Sequence, residues 1–169
     1  MRKPIISSDV PQAGEGKRGE EGHLGYLLRQ AGVAFRARME RTLSDLQVTL
    51  PQFAVLTMVA NYPGLSNADL ARLSLLTPQT VSVIVANLLR TGALARHPHA
   101  VHGRIQHLEV TPAGKTLLAR CRRRVHVIEA ELVAGLSTKE EQTIRRWLVA
   151  IALDAAVTSE NMKSPARSA

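Results

Sequence analysis

Residues 76–94 (LTPQTVSVIVANLLRTGAL) are the stretch that most limits the folds open to this chain. Thr77 is a preferred N-cap residue, Pro78 suits the first turn of a helix, and Gly92 suits the position that follows the last turn. The apolar residues between these signals recur at helical spacing and share one face: Val81, Ile84, Val85, Leu88 and Leu89. This stretch therefore predicts a single amphipathic helix with defined ends.

A second, shorter helix is predicted immediately before it. Ser66 is followed three residues later by Asp69, which is close to a capping box. Leu70 and Leu73 are expected to face inward, and residues 74–76 to form a tight turn. A short helix, a tight turn and a longer second helix together make a helix-turn-helix.

Two short extended stretches follow, at 94–97 and 104–110, with the loop HPHAVHG between them. In the second stretch Leu108 and Val110 share one face while Glu109 points to the other, which is the alternation of a strand. A hairpin directly after a helix-turn-helix is the layout of a winged helix.

Long amphipathic helices are predicted on both sides of this segment. The first has an apolar stripe from Leu24 to Leu43, and two more follow the hairpin, where Thr111 and Ser137 provide cap signals. We therefore expect a mainly α protein with a small β-hairpin wing. Its parts would be a winged helix-turn-helix and long N- and C-terminal helices.

Positive charge is concentrated in the same part of the chain. The formal net charge is +8, and between Ala68 and Arg124 nine Lys and Arg stand against two acids. No acid occurs from Leu70 to Gln106. Such a basic segment is typical of a surface that binds a polyanion, and a well-solvated surface is the plainer alternative. Aromatic residues are only 3% of the chain, which argues against a surface that stacks single-stranded bases.

The outer face of the 76–94 helix carries short or amide-bearing side chains: Gln79, Val83, Ala86 and Arg90, flanked by Thr80, Ser82 and Asn87. An ordinary solvent-facing surface more often pairs Lys with Glu. Small side chains, amides and the absence of carboxylates suit a surface that approaches base edges and phosphates. The pattern favours a helix that lies in a DNA groove over a surface helix that merely lacks charge.

The chain resembles the MarR family of winged-helix transcriptional regulators. The resemblance rests on the run from LTPQTVSVIVANLLRTGALAR through the wing to GRIQHLEVTPAGKTLL, and it extends over roughly residues 23–157. It implies a homodimer that binds a pseudo-palindromic site on double-stranded DNA, as a repressor rather than an activator. The implied divisions are a disordered tail at 1–22, dimerisation helices at 23–46 and 112–157, the DNA-binding winged helix at 50–111, and a second tail at 158–169.

The expected DNA contacts are Ser66, Thr77, Gln79, Thr80, Ser82, Val83, Asn87, Arg90, Arg96 and Arg104. Gln79 has the groups for a bidentate bond to adenine, and Val83 suits a thymine methyl group. Ser66, Thr77 and Arg90 are better suited to phosphates.

The wing departs from the family pattern at one place. By resemblance, Arg104 matches the family arginine that reaches toward the minor groove, and Arg96 braces it or contacts phosphate. Where the family often has an aspartate two residues earlier, this chain has His102, so Arg104 lacks its usual ion-pair partner. We expect DNA binding to strengthen near pH 6 as wing histidines gain charge. These histidines are His97, His99, His102 and His107; a metal site is not favoured, because three of them lie on a loop without a fixed frame.

Family members often bind small aromatic or phenolic acids between the dimer helices and the DNA-binding lobe. By resemblance only, such an effector site would involve His23, Tyr26, Leu27, Arg38 and Met58. Candidates for the dimer interface are Leu24, Phe35, Trp147, Leu148 and Ile151, with a place in the intramolecular core as the alternative for each.

Other classes of function have less support. No arrangement of paired acids, Ser with His, or Cys with His indicates an enzyme, and no metal or cofactor is expected. Cys121 lies on the apolar stripe of its helix, which favours a buried residue over a redox sensor. A lone cysteine and the lack of a long apolar run suggest a cytoplasmic protein without membrane contact. Two alternatives stay open: a sequence-tolerant architectural DNA-binding protein, and a basic helical module that binds an acidic protein.

Overall fold

In the computed structural model, the backbone is described for residues 10–98 and 106–162, and the side chains for residues 10–97 and 107–153. Within these ranges a short 3₁₀ helix, Gly16–Arg18, precedes six α-helices and one two-stranded sheet. The elements are α1 (Leu24–Ser44), α2 (Leu50–Asn61), α3 (Asn67–Ser74), α4 (Pro78–Arg90), β1 (Leu94–Pro98), β2 (Gln106–Val110), α5 (Pro112–Leu132) and α6 (Thr138–Met162). The mainly α fold with a hairpin wing, predicted from the sequence, is confirmed.

Side-chain caps set the starts of α3 and α4 where the sequence predicted them. Ser66 Oγ accepts a hydrogen bond from the Asp69 N–H at 3.1 Å, and Thr77 Oγ1 accepts one from the Thr80 N–H at 3.2 Å. Each bond satisfies an N–H group that has no partner inside its helix. Gly92 follows α4 with φ +74°, the left-handed conformation that favours glycine.

α2 begins with a capping box that the sequence analysis did not identify. Thr49 Oγ1 accepts from the Gln52 N–H at 3.3 Å, and Gln52 Oε1 accepts from the Thr49 N–H at 2.9 Å. The signal was available, since threonine followed three residues later by glutamine is the standard pattern of this box.

The winged-helix segment has a core of its own, built from α2, α3, α4, both strands and α5. Its buried residues are Val55, Leu56, Val59, Leu70, Ala71, Val81, Ile84, Val85, Leu88, Ala93, Leu94, Leu108, Val110 and Leu118. β1 and β2 pair antiparallel, with Leu94 opposite Val110. Burying apolar area of this kind is the main source of stability for such a segment.

One inward position was predicted wrongly. Leu70 is fully buried, but the side chain of Leu73 is 44% exposed. α3 buries Leu70 and Ala71, and Leu73 lies about 110° around the helix from the middle of this pair, at about 100° per residue, so it falls at the edge of the buried face. A helix of eight residues offers too little pattern to locate its buried face from the sequence.

A second, smaller core contains Leu43, Val48 and Cys121. Burial raises the pKa of the Cys121 thiol, which outweighs the opposing effect of Arg120. A buried thiol with a raised pKa is poorly suited to redox sensing, as the apolar stripe predicted. Burial along α1 increases toward this core, from an exposed Leu24 to a fully buried Leu43.

The chain divides into two compact units between His126 and Val127, within α5. In the second unit Ser137 and Glu140 form the predicted capping box of α6: the Ser137 N–H donates to Glu140 Oε2 at 2.8 Å, and the Glu140 N–H donates to Ser137 Oγ at 3.4 Å. None of the described side chains of α6, at residues 138–153, is buried.

Both ends of the described chain differ from the predicted tails. Arg18 Nε donates to Gln30 Oε1 at 3.2 Å, and Gln30 Nε2 donates to the Arg18 carbonyl at 3.0 Å, so the Gly16–Arg18 turn is attached to α1. Gly14, with φ +95°, supplies a backbone conformation that this turn requires. At the other end α6 extends to Met162, beyond the predicted boundary at 157.

No single helix among the described residues is long and apolar enough to span a membrane. α3 and α4 taken together pass that test by length and composition only, and they are bent by 106°.

Candidate nucleic-acid interface

The angle between α3 and α4 is that of a helix-turn-helix. Their axes differ by 106°, within the range of roughly 90–120° that this motif shows. Leu75 lies in the turn between them with φ +55° and ψ +41°, a left-handed conformation that is unfavourable for a leucine. Its side chain is 91% exposed, so burial does not explain the choice of residue.

The predicted groove-facing residues of α4 form its exposed surface. Gln79, Thr80, Ser82, Val83 and Arg90 are all exposed, and Val83 is 71% exposed. The opposite face, centred on Val81 and Val85, is in the core. The helix therefore presents short, uncharged side chains along its length, with one guanidinium in its last turn.

Hydroxyl groups on this face already have partners within their own helix. Thr77 Oγ1 and Thr80 Oγ1 lie 2.8 Å apart, and Ser82 Oγ donates to the Pro78 carbonyl at 2.9 Å. Their remaining lone pairs can still accept hydrogen bonds. Ser82 uses its proton in the bond to Pro78 and can only accept from a base, whereas one hydroxyl of the Thr77–Thr80 pair keeps a proton that it can donate.

Ser66, the predicted phosphate contact at the start of α3, has its hydroxyl turned to an acid. Ser66 Oγ donates to Asp69 Oδ2 at 2.6 Å, and Arg72 also pairs with this carboxylate. The bond from Ser66, followed by that from Arg72, lowers the pKa of Asp69. A contact from Ser66 to phosphate would require this hydroxyl to leave Asp69, or would use the backbone of the α3 N-terminus instead.

Asn87 differs from the rest of the predicted set. It is half-buried, and its Oδ1 accepts a hydrogen bond from Gln52 Nε2, at the start of α2, at 3.0 Å. Sequence reasoning missed this contact because the two residues are far apart in the chain and neither is apolar.

The described part of the wing carries one exposed cation and two histidines. Arg96 is exposed on β1 opposite Leu108, and His97 is opposite His107 with their ring centroids 6.1 Å apart. His97 Nε2 lies 3.5 Å from Glu109 Oε2, so a protonated His97 would be partly neutralised by this acid. The predicted rise in DNA affinity near pH 6 stays a prediction.

Residues 99–105 lie outside the described residues, and with them Arg104, His99 and His102. Among the side chains that are described, no group of three His, Cys, Asp or Glu is arranged to hold a metal ion.

α5 carries four arginines, at positions 120 and 122–124, and two of them contact residues at the ends of other helices. Arg124 pairs with Asp45 at 2.6 Å, and Arg122 NH2 donates to Asn61 Oδ1 at 3.2 Å. These contacts join α5 to the ends of α1 and α2. Two of the four arginines therefore have partners within the protein, and the run need not be assigned to an acidic partner protein.

Two clefts among the described residues lie beside α4 and beside the wing. One, of about 420 Å³, lies between α1, the start of α2 and the outer flank of α4, and is lined by Arg36, Glu40, Thr49, Pro51, Gln52, Thr80, Val83, Ile84 and Asn87. The other, of about 320 Å³, lies beside the wing and is lined by Val59, Ala60, Pro63, His107, Glu109, Val110 and Lys115.

The residues expected around an effector are not brought together within one chain. His23 and Arg38 lie fifteen residues apart on α1, which separates them by about 22 Å at 1.5 Å per residue, more than a phenolic acid spans. Tyr26 is exposed, Leu27 and Met58 are half-buried, and neither cleft includes any of the five. The site stays a prediction, and it would need residues of two chains.

A helix-turn-helix followed at once by an antiparallel hairpin defines a winged-helix protein. The profile of the MarR family matches residues 46–105. The HTH-type transcriptional repressor Rv2887 of Mycobacterium tuberculosis is 33% identical over 135 residues, 80% of this chain and 97% of that protein. A putative transcriptional regulatory protein for the hcr operon of Thauera aromatica is 30% identical over 124 residues, 73% of this chain and 75% of that protein. The chain belongs to the MarR family, whose members are transcriptional regulators and not enzymes.

Solved structures agree with this assignment. The complex of Rv2887 with salicylic acid has a TM-score of 0.64 at 33% identity and covers 78% of this chain and 98% of that one. The complex of Rv2887 with DNA has a TM-score of 0.61 at 32% identity, covering 77% and 98%. The complex of Staphylococcus aureus MepR with DNA has a TM-score of 0.72 at 23% identity, covering 80% and 99%, and supports the fold alone.

Proposed function

We propose that this regulator binds double-stranded DNA sequence-specifically and acts as a repressor. The observation that carries the proposal is the exposed face of α4: it holds no acid and consists of short or amide-bearing side chains on a helix fixed by a helix-turn-helix. Such a face can approach base edges closely without repelling phosphates. The structure of Rv2887 with DNA supports this assignment.

Roles are proposed for the individual residues by their chemistry. Gln79 bonds adenine through both ends of its amide, and Val83 meets a thymine methyl group. Arg90 and Arg96 contact phosphates, while Thr77, at the N-terminus of α4, places backbone N–H groups toward one. The remaining proposed contacts are Thr80 and Ser82 as hydrogen-bond acceptors, Ser66 through its backbone, and Arg104 from the wing.

We propose that the functional form is a homodimer on a pseudo-palindromic operator. Ile144, Trp147, Leu148 and Ile151 on α6 are each 37–44% exposed, and Leu24 on α1 is 67% exposed. Large apolar side chains left open in this way mark a surface for another protein. In a two-fold dimer the same stripe would serve both copies, and two copies of α4 would read two half-sites.

A small aromatic acid is the proposed effector class, since Rv2887 has been crystallised with salicylic acid and with p-aminosalicylic acid. The cleft beside the wing is the first place to test in this chain. It offers the Lys115 ammonium for a carboxylate, and Val59 and Val110 for a ring. An effector bound in this cleft would release DNA by stabilising a position of the wing that does not fit the duplex. Lys115→Gln should then weaken release by salicylate without changing DNA binding alone.

The test of the proposed function is fluorescence anisotropy with the DNA upstream of the gene and a shuffled duplex of equal composition, at two salt concentrations. We expect a preference for the native duplex of at least about a hundredfold, which persists when salt is raised. Gln79→Ala should reduce that preference about tenfold, while Lys139→Ala, on α6, serves as a matched control.

Equal affinity for both duplexes, with a steep salt dependence, would identify a sequence-tolerant architectural DNA-binding protein instead. The absence of binding to either duplex would point to an acidic protein partner. As a regulator of chromosomal genes, the protein is expected in the cytoplasm.

A further inference from the structure

The Gln52 side chain connects the start of α2 to the recognition helix α4. Its Oε1 accepts from the Thr49 N–H at 2.9 Å, which closes the cap of α2. Its Nε2 donates to Asn87 Oδ1 at 3.0 Å, across 35 residues of sequence. Both ends of one amide are therefore engaged, one within α2 and one on α4.

Asn87 is the exception among the described residues proposed to meet DNA. Thr77, Thr80 and Ser82 hydrogen-bond within their own helix, whereas the Asn87 side chain bonds to a different helix. An asparagine that reads adenine must present both its carbonyl oxygen and its amino group to the base. Here the carbonyl oxygen already accepts from Gln52, so the orientation of the Asn87 amide is set by a contact with α2 and not by a base.

The bond spans a place where apolar packing is interrupted. The cleft of about 420 Å³ between α1, the start of α2 and the outer flank of α4 has Gln52 and Asn87 in its wall. On the other side of α4 the contacts with α2 are apolar, through residues such as Val55 and Val85. Apolar contacts are not directional, whereas a hydrogen bond is, so this bond constrains the rotation of α4 about its own axis.

We propose that Gln52 is a positioning residue for DNA recognition, which holds α4 through Asn87, and that Asn87 is the acceptor of this contact and does not read a base. The inference rests on the proposed function of α4 as the recognition helix. A small rotation of α4 moves every side chain of its exposed face, Gln79 and Val83 included, relative to the base edges.

The first arm of the test needs no DNA. Amide hydrogen exchange of α4 in the free full-length protein is compared for Asn87→Ala, Gln52→Ala and the double variant. We expect α4 amides to exchange about threefold to tenfold faster in all three, and equally in the single and double variants, because each removes the same bond. Thr49→Ala is the control for the α2 cap: it should affect only the first turn of α2. If Asn87→Ala leaves α4 exchange unchanged, the proposal is wrong.

The second arm uses the ratio of affinities for native and shuffled duplexes, and its sharpest variant is Asn87→Asp. Aspartate keeps an oxygen that accepts from Gln52 but has no N–H to give a base. Positioning predicts that Asn87→Asp keeps both the ratio and the wild-type exchange of α4, whereas Asn87→Ala and Gln52→Ala each lower the ratio about threefold to tenfold. Added negative charge weakens binding to both duplexes, so it largely cancels in the ratio.

The opposite result is equally distinct. If Asn87 reads a base, Asn87→Asp and Asn87→Ala both lose the preference, and Gln52→Ala keeps it. If the wild type itself shows no preference between the duplexes, the proposed function fails, and the exchange data still decide whether Gln52 positions α4.

Discussion

The winged-helix segment and α6 make opposite use of their apolar residues. The segment from α2 to the start of α5 has a core of fourteen buried residues. On α6, Trp147 and Leu148 are 39% and 44% exposed, and no described side chain of that helix is buried. Both regions have well-formed caps and regular helices, so local sequence signals do not distinguish them. The difference shows that one region closes upon itself, while the other has an apolar stripe that needs a covering surface.

We expect the largest effect, a loss of dimer affinity, when a charged residue replaces an apolar one in the stripe of α6. Leu148→Asp would place a carboxylate in a dimer interface twice, because a two-fold interface repeats each residue. We expect dimer affinity to fall by about a hundredfold or more, measured by light scattering over a dilution series, with DNA affinity falling in parallel. Leu75→Asp is the matched control for dimer affinity alone, since it places the same charge at an exposed leucine outside α6.

A Leu148→Asp protein that stays dimeric at the lowest concentration would show that the dimer does not depend on the apolar stripe of α6. The proposed role of that stripe would then be wrong.

The next effect concerns the closed core. Leu56 is fully buried, so Leu56→Ala removes apolar contacts and leaves a cavity. We expect a loss of about 3 kcal/mol in the free energy of unfolding, measured in urea at a fixed protein concentration. Leu73→Ala on α3, where the leucine is 44% exposed, should cost less than half as much. Equal costs at the two sites would mean that the segment does not close its core as described.

A smaller effect of opposite sign is expected at the turn between α3 and α4. Leu75 has φ +55°, a conformation that a glycine adopts without steric cost. Leu75→Gly removes this strain but gives the unfolded chain more freedom, so a net gain of about 0.5 kcal/mol in unfolding free energy is expected. A clear loss would indicate that the Leu75 side chain has a contact that its 91% exposure does not suggest.

The smallest expected effect is on the pKa of one acid in each region. Hydrogen bonds from Ser66 and Ser137 lower the pKa of Asp69 and Glu140 below their ordinary values of 3.8 and 4.5. A lowered pKa in the folded state stabilises it above the ordinary value, and this contribution is lost as the pH falls through the folded-state pKa. Ser66→Ala and Ser137→Ala should therefore raise the pKa of the neighbouring acid, as followed by NMR titration of the carboxyl carbon.

The two responses should be alike although one helix belongs to the closed core and the other does not, because caps are local. The pKa of Asp69 should rise only part of the way to its ordinary value, since Arg72 still pairs with this carboxylate. A pKa for Glu140 that does not respond to Ser137→Ala would mean that another group holds it.

The sequence predicts features that depend on local contacts and misses those that depend on contacts between distant residues. The caps at Thr77 and Ser66, the buried face of α4 and the hairpin were predicted, because each depends on residues within a few positions of one another. The exposed face of α4 was predicted by the same periodicity. The orientation of Leu73 was wrong, since a helix of two turns carries too little pattern.

The bond from Gln52 to Asn87 was beyond prediction, because it joins polar residues 35 positions apart whose meeting depends on how two helices pack. The turn at Gly16–Arg18 was missed for a related reason. Its glycines suggest a flexible backbone, whereas the turn is fixed by hydrogen bonds between Arg18 and Gln30 in α1. The effector residues were chosen by resemblance, and the length of α1 separates His23 from Arg38 within a single chain.

Gly114 allows the first turn of α5 to pack closely against the base of the wing. A Cβ at this position would overlap the Ala93 carbonyl oxygen and press on Val110 Cγ1, and Thr111 Oγ1 donates to the Gly92 carbonyl at 2.6 Å. The first turn of α5 thus lies directly on the base of the hairpin, with no room for a side chain at position 114. Any residue larger than glycine there would push the wing and the start of α5 apart.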